Sequence, residues 1–336
     1  MDKFDVSKCR VILEDSIMQK GCVASAGSKM LENFIAPFDA EVVTRLRAAG
    51  VENIEQVKSE KEFSIDGGKM SEAVAAVAEG RADFALCNDF WSFNVTDDLY
   101  YIRPTYGTVS RYGLIPAVSS MDQVGIICKN PVEGFNLLSV IAGYDPKDGA
   151  MFPEKSYEYK PYEGRLKIGM FGNMADRDIP GNYDIIKMEI KYPEISANMV
   201  MWVLSRAEIS NNINRYDGIK FGYRANDFKG LEDLYVKSRT EGLGLEAKLA
   251  AITGCFVLSE EYYEKYYDKA MKIRRLIKES LDFSQYDVLV FKSHFVPGSA
   301  LAPLAGLPSL STPNGLRLIA DVKNENKLLA AWEAIK

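Results

Sequence analysis

The chain has 336 residues, 47% hydrophobic and 26% charged, enough apolar material for a sizeable core and too much for wholesale disorder. Its formal net charge is -6, and its Lys and Arg residues are spread along the chain, which argues against a surface that grips nucleic acid alone. The five cysteines (Cys9, Cys22, Cys87, Cys128, Cys255) are odd in number and show no paired spacing, and His294 is the sole histidine, so neither a disulfide framework nor a metal site is expected.

The N-terminus, Met1-Asp-Lys-Phe-Asp, carries no apolar signal region, and no stretch approaches the ~18 uninterrupted apolar residues of a membrane span. A cytoplasmic setting with reduced thiols and no cofactor follows as the expectation. Residues 38–49 place Val42, Val43 and Leu46 at helical spacing, with Gly50 as the stop. Residues 71–79 form an Ala-rich helix ended by Gly80. Ala82 to Cys87 and Val124 to Cys128 read as buried strands, the second followed by a helix from Pro131 to about Ala142. Residues 144–164 carry Pro, Gly, Lys and Tyr and read as a long surface loop within one domain.

Leu166–Met170 and Ile185–Ile190 read as strands. From Glu194 to about Phe283 the pattern is mostly helical, broken near Gly218–Gly222 and Gly242–Gly244. Val288–Val290 and Leu316–Ala320 are strands on either side of a Pro- and Gly-punctuated segment, and a last helix begins at Asn324. Strands alternating with helices favour an α/β layer architecture with a buried sheet.

Several blocks carry a family resemblance. The first is Arg103-Pro-Thr-Tyr-Gly-Thr-Val-Ser-Arg-Tyr-Gly-Leu-Ile, continuing to Ser119-Ser-Met-Asp-Gln-Val-Gly. Others are Ala26-Gly-Ser-Lys-Met-Leu-Glu-Asn-Phe, Arg215-Tyr-Asp-Gly-Ile-Lys-Phe-Gly-Tyr-Arg, Ser238-Arg-Thr-Glu-Gly-Leu-Gly and Leu304-Ala-Gly-Leu-Pro-Ser-Leu-Ser-Thr-Pro-Asn-Gly. Together they resemble the amidase-signature family, and within it the A subunits of glutamyl-tRNA(Gln) amidotransferases. The resemblance implies a single domain over residues 1–336, a twisted mixed sheet flanked by helices on both faces, and descent from enzymes that hydrolyse amides. It also implies a missing N-terminal segment and a shortening between Val57 and Gly67.

The family uses a lysine and two serines, the second serine as nucleophile, with backbone N–H groups as an oxyanion hole. By the resemblance, Glu14 stands at the lysine, Lys69 at the first serine and Phe93 at the nucleophile. The last two are 24 residues apart, as the family's serines are. Three replaced groups lead to the expectation of a protein that is not an enzyme. It would act by binding companion amidotransferase-like subunits, a ligand or a second copy of itself, with Glu14 paired to Lys69, Phe93 filling the space between, an ordinary trans peptide at Lys69 and Trp91 plugging the pocket mouth. The alternative is an active enzyme with a relocated nucleophile: Ser92 or Ser71 activated by Lys69, or the thiol of Cys87. Simpler readings make Ser71 a helix N-cap, Ser92 a loop residue and Cys87 a strand residue. Arg274 matches the family's carboxylate-binding arginine, whereas the acid that would hold an amino group falls near Val296. Its plainer reading is a structural arginine on a charged helix. Tyr262, Tyr263, Tyr266 and Tyr267 recur at helical spacing and read as packing.

Overall fold

The computed structural model describes residues 4–65, 72–90, 95, 98–160, 162–171, 183–188, 197–292 and 298–335. Among the described residues ten strands join in one sheet. They are β1 (Arg10–Glu14), β2 (Asn53–Val57), β3 (Phe84–Asp89), β4 (Tyr100–Arg103), β5 (Gln123–Cys128), β6 (Leu166–Phe171), β7 (Tyr183–Met188), β8 (Val288–Lys292), β9 (Ser309–Ser311) and β10 (Leu316–Ala320). Their spatial order is β2-β1-β3-β5-β4-β9-β10-β8-β6-β7. The two flanks are parallel, β2-β1-β3 on one side and β8-β6-β7 on the other, and the strands between run antiparallel.

Strand side chains alternate between faces, so the sheet carries two cores. On one face Val11, Leu13, Leu86, Ile102 and Ile126 pack under α1 (Glu41–Ala48), α3 (Pro131–Ile141) and α9 (Glu325–Ile335). On the other face Ile12, Ala85, Cys87 and Ile127 lie under α2 (Glu72–Ala78). Further along that face, Leu289, Phe291 and Ile319 lie under α4 (Ala197–Ile213), α6 (Leu245–Leu258), α7 (Lys269–Ser280) and α8 (Gly298–Ala305). One more helix, α5 (Gly230–Gly242), precedes α6. The expected mixed α/β sheet with helices on both faces is what the chain builds.

Helix ends follow the local chemistry. Gly50 and Gly80 adopt φ of +87° and +76°, conformations that favour glycine, and they end α1 and α2 where the sequence places stops. At α3 the Asn130 side chain accepts from Val132 N at 3.0 Å and Pro131 occupies the first turn. Within α1, Arg45 pairs with Glu41 one turn back at 3.0 Å and also donates to Ala142 O and Tyr144 O, joining the helix to the chain beyond α3.

Residues 144–164 hold no helix or strand among those described, as expected of a loop, yet part of the segment is inside: Asp145, Asp148 and Tyr159 are buried, Phe152 N donates to Gly107 O at 2.8 Å, and Arg111 holds Asp148 with three hydrogen bonds of 2.8, 2.9 and 2.9 Å. The segment after Val288–Val290 is also more regular than its Pro and Gly content suggests, since it contains α8 and β9.

Gly125 on β5 shows how closely the central strands are fitted. The Tyr101 ring of β4 passes over it, and a Cβ at 125 would lie 2.2 Å from the phenol oxygen and 2.4 Å from a ring carbon. Tyr101 is fully buried and its hydroxyl is bonded to Asp89 beyond β5, so the ring has nowhere to go. Gly125→Ala is expected to destabilise the fold by about 1–3 kcal/mol, the usual cost of overpacking. Urea denaturation would read this as a lower midpoint with an unchanged slope, and an unchanged midpoint would contradict it.

Candidate active site

The site is assembled where β1 and β3 end. Asp83 N donates to Arg10 O at the start of β1, just after α2 has finished, so α2 runs back against the strands and opens at their carboxyl ends. Glu14 closes β1 one residue beyond the Leu13–Leu86 pair, which puts it beside Cys87, and Asp89 closes β3. Open sheets place ligands in crevices outside the carboxyl ends of parallel strands, which is the position occupied here.

Asp89 is the hub of a buried polar network on the α2 face. Arg103 Nη1 meets its carboxylate at 2.9 Å, with both side chains 1% exposed, and donates to Asp89 O at 2.8 Å. Tyr101 Oη donates to the same carboxylate across Gly125. Arg103 Nη2 reaches Met121 O at 2.7 Å. Arg317 on β10 is also fully buried; its Nε donates to Ser311 Oγ at 3.2 Å. Burial draws the Arg317 guanidinium down to about 10, with Asp89 pulling the other way. Burial first, then Asp89, pushes the Tyr101 phenol far up, so it stays a donor. Buried charges of this kind are tolerated only when paired and hydrogen-bonded.

A second network fixes the chain after β1. The Asp15 carboxylate accepts from Ser25 N at 3.1 Å, from the Ser25 hydroxyl, and from Ser59 N at 2.8 Å. This docks the segment Ala26-Gly-Ser onto residues 59–61. A Cβ at Gly27 would lie 2.7 Å from Lys61 O, and Gly27 has φ +70°, so glycine is required there. Ala26, Phe63 and Ser64 all hold positive φ (+47°, +50°, +55°). Three strained non-glycine residues around Lys61 form the kind of cluster found at functional sites. Ser28 Oγ caps Met30 N at 3.1 Å and donates to Glu62 at 2.5 Å. Burial raises the Glu62 carboxyl against that bond.

Glu14 is buried and engaged at the end of β1. Cys87 is fully buried, its Sγ 3.8 Å from Gly125 O, and burial, then Glu14 and Asp89, push its thiol far up against an opposing pull from Lys61. A thiol in that setting is a core group, not a thiolate. Lys69, Ser71, Trp91, Ser92, Phe93 and Val296 lie outside the described residues, and with them the proposed Glu14–Lys69 pair and the Lys69 peptide bond. Arg274 donates to Leu304 O at 2.8 Å and to Ser120 Oγ and O at 2.9 and 3.1 Å. Ser120 in turn is held by Glu208. Burial lowers the Arg274 guanidinium, opposed by Glu208. In the tyrosine group, Tyr262 stacks on Phe256 with centroids 4.2 Å apart, and Tyr263 and Tyr267 lie 5.2 Å apart, beside a π-helical turn at Glu264–Asp268. Among the described residues no group of His, Cys, Asp and Glu is arranged to hold a metal ion, and no helix is long and apolar enough to cross a membrane.

Two features escaped sequence reasoning. Lys61 brings a cation close enough to influence Cys87 beside Glu14, yet nothing in its neighbourhood marks it. Asp122 is the other. It is buried, accepts from Ala117 N and Val118 N at 2.9 Å and stands near Glu208. Next to it, Arg111, Ser119, Lys147 and Asp148 line a cleft of about 220 Å³.

Burial raises Asp122 to about 6 despite its backbone donors. A carboxyl raised in the folded state contributes stability that is complete below the unfolded value near 4 and is lost as pH rises through 6. The stability of the native chain relative to Asp122→Asn is therefore expected to fall by about 3 kcal/mol between pH 4 and pH 7, two units at ~1.4 kcal/mol each. Paired denaturation curves across that range would show it, and a pH-independent difference would refute it.

Comparison with known proteins places this architecture. The Amidase family profile matches residues 97–303. The glutamyl-tRNA(Gln) amidotransferase A subunit of Lachnoclostridium phytofermentans is 34% identical over 91% of this chain and 75% of its own length. That of Moraxella catarrhalis is 33% identical over 94% and 80%. Among solved structures, the Thermotoga maritima glutamyl-tRNA(Gln) amidotransferase A subunit superposes with a TM-score of 0.71 at 24% identity, covering 96% of this chain and 81% of that one. The peptide amidase of Stenotrophomonas maltophilia gives 0.75 at 22% identity, covering 97% and 82%. At these identities the superpositions speak for the fold alone. The expectation of a non-enzyme, drawn from Glu14, Lys69 and Phe93, is overturned by this kinship, which runs through most of the chain and points to an amidase or amidotransferase enzyme. The same chemistry recurs with its groups at other positions in a chain, so Glu14, Lys69 and Phe93 do not by themselves decide activity. The chain, matched by profile over more than half its length and by curated relatives over nearly all of it, belongs to the amidase family.

Proposed function

We propose that this chain is an amide-hydrolysing enzyme of the amidotransferase type, releasing ammonia from a carboxamide such as glutamine for use by companion subunits in the cytoplasm. The observation that carries the proposal is the 34% identity to an amidotransferase A subunit over 91% of the chain. The Asp89 network supports it, because it anchors the start of the loop in which the family keeps its nucleophile. Asp89 is fixed by Arg103 and Tyr101, and Val95, six residues on, is buried.

Within that segment Ser92 is our candidate nucleophile, with Lys69 as the base that takes its proton. Ser71 is the second candidate. The burial and raised thiol of Cys87 speak against it. Arg274 supplies the cation for a substrate carboxylate, approached by exchange of one of its Ser120 bonds.

Glutamine and asparagine hydrolysis, followed by ammonia release, is the direct test. Ser92→Ala and Lys69→Ala are expected to lower kcat/KM by at least ~10³-fold, the usual scale for losing part of a catalytic unit, while Cys87→Ala leaves it within about threefold. Turnover that survives Ser92→Ala would contradict the assignment. An inactive native chain across a carboxamide panel, with companion subunits supplied, would contradict the function.

A further inference from the structure

We propose that the outer face of α6 is a docking surface for a second copy of this chain, independently of the reaction it catalyses. Leu245, Leu249, Ile252 and Phe256 fall at i, i+4, i+7 and i+11, one stripe about 17 Å long, and they are 69%, 48%, 68% and 43% exposed. The opposite face of the same helix is fully committed: Ala247, Ala250, Gly254 and Val257 are buried against the core. A Cβ at Gly254 would meet Arg206 O of α4 at 2.3 Å, so α6 is seated as deeply as it can be, and the exposed stripe is not a core face waiting for a closer fit.

The stripe carries no exposed charge between Glu246 and Glu260. Lys248, the lone basic residue in that interval, turns its Nζ back to Thr240 O at 2.7 Å, towards α5. At its far end, Phe256 stacks on Tyr262, and Tyr266, itself 43% exposed, continues the surface with its ring 5.5 Å from Phe256. With side chains of about 150–250 Å² each, these exposures amount to on the order of 500 Å² over the stripe and Tyr266. A standard interface buries ~800 Å² per partner, and about two-thirds of a homodimer contact is apolar, again ~500 Å². The patch therefore matches the apolar core of a stable dimer.

Its layout also fits a two-fold axis. Leu249 and Ile252 are the middle pair of the stripe, so an antiparallel crossing at that point sets each stripe's leucine end against the other's phenylalanine end. A closed, isologous contact of this kind needs one self-complementary surface, and an uncharged stripe has no like charges to bring together between two chains that each carry a net charge of -6.

Sedimentation velocity of the full chain over a micromolar dilution series tests this, together with the rate at which iodoacetamide modifies Cys255. Cys255 is exposed on the α4-facing flank of the stripe, its Sγ 3.5 Å from Ser210 Oγ, and the half-buried Cys22 serves as an internal reference. The expected result is the mass of two chains, with Cys255 modification slowed at least ~10-fold where the dimer predominates. Ile252→Glu should give one chain's mass and full Cys255 reactivity. The wild-type reading needs no substitution, and a far-UV spectrum and thermal melt of the variant keep loss of fold apart from loss of dimer. A single-chain mass throughout the series, a dimer that leaves Cys255 freely reactive, or one that survives Ile252→Glu would overturn the proposal.

Discussion

The buried pair between Asp89 and Arg103 is the interaction on which the functional half of the molecule depends. Two charges sit at 2.9 Å with almost no solvent, and either alone would be expensive to keep there. Its neighbours make sense as consequences. Tyr101 reaches Asp89 only because Gly125 has no side chain. Arg317 lies buried beside the pair, its charge partly supported by Asp89. Met121 O, at the end of the signature block, takes the remaining Arg103 bond. The antiparallel centre of the sheet is thus tied by one carboxylate to the carboxyl end of β3.

That arrangement gives much of the signature block a structural meaning. Arg103 holds the sheet; Gly107 and Gly113 hold φ of +88° and +82° where a side chain would strike Ala150 O and Ala40; Arg111 fixes the chain beyond α3 through Asp148. Asp122 adds a buried carboxyl that is held by backbone donors and opposed by Glu208. These residues maintain shape, and kinship through them speaks first for the scaffold. In the proposed mechanism the reaction falls to Lys69 and Ser92.

The fold was legible where local rules decide it. Gly50, Gly80 and Pro131 marked helix ends that the structure keeps, and the apolar runs from Ala82 to Cys87 and from Val124 to Cys128 fall on the central strands Phe84–Asp89 and Gln123–Cys128. β9 was not legible, because it is three residues long, with Leu310 in the core on one face and two buried serines beside Arg103 and Tyr101 on the other. One apolar residue between two serines leaves no apolar run to find. The Asp89 network was equally hidden: Arg317 is more than two hundred residues from Asp89, and only the sheet order brings them together. Residues 144–164 looked like a loop by composition, and it took the Arg111–Asp148 contact to show that part of them is core. The family was legible from its blocks; activity was not legible from Glu14, Lys69 and Phe93, because kinship along most of the chain points to an amidase or amidotransferase enzyme.

The decisive measurement is labelling of the native chain with a fluorophosphonate, followed by peptide mass spectrometry. A stoichiometric adduct on Ser92 is predicted, suppressed by excess glutamine and absent in Lys69→Ala. An unlabelled chain, or an adduct on a residue outside the loops that follow β2 and β3, would contradict it.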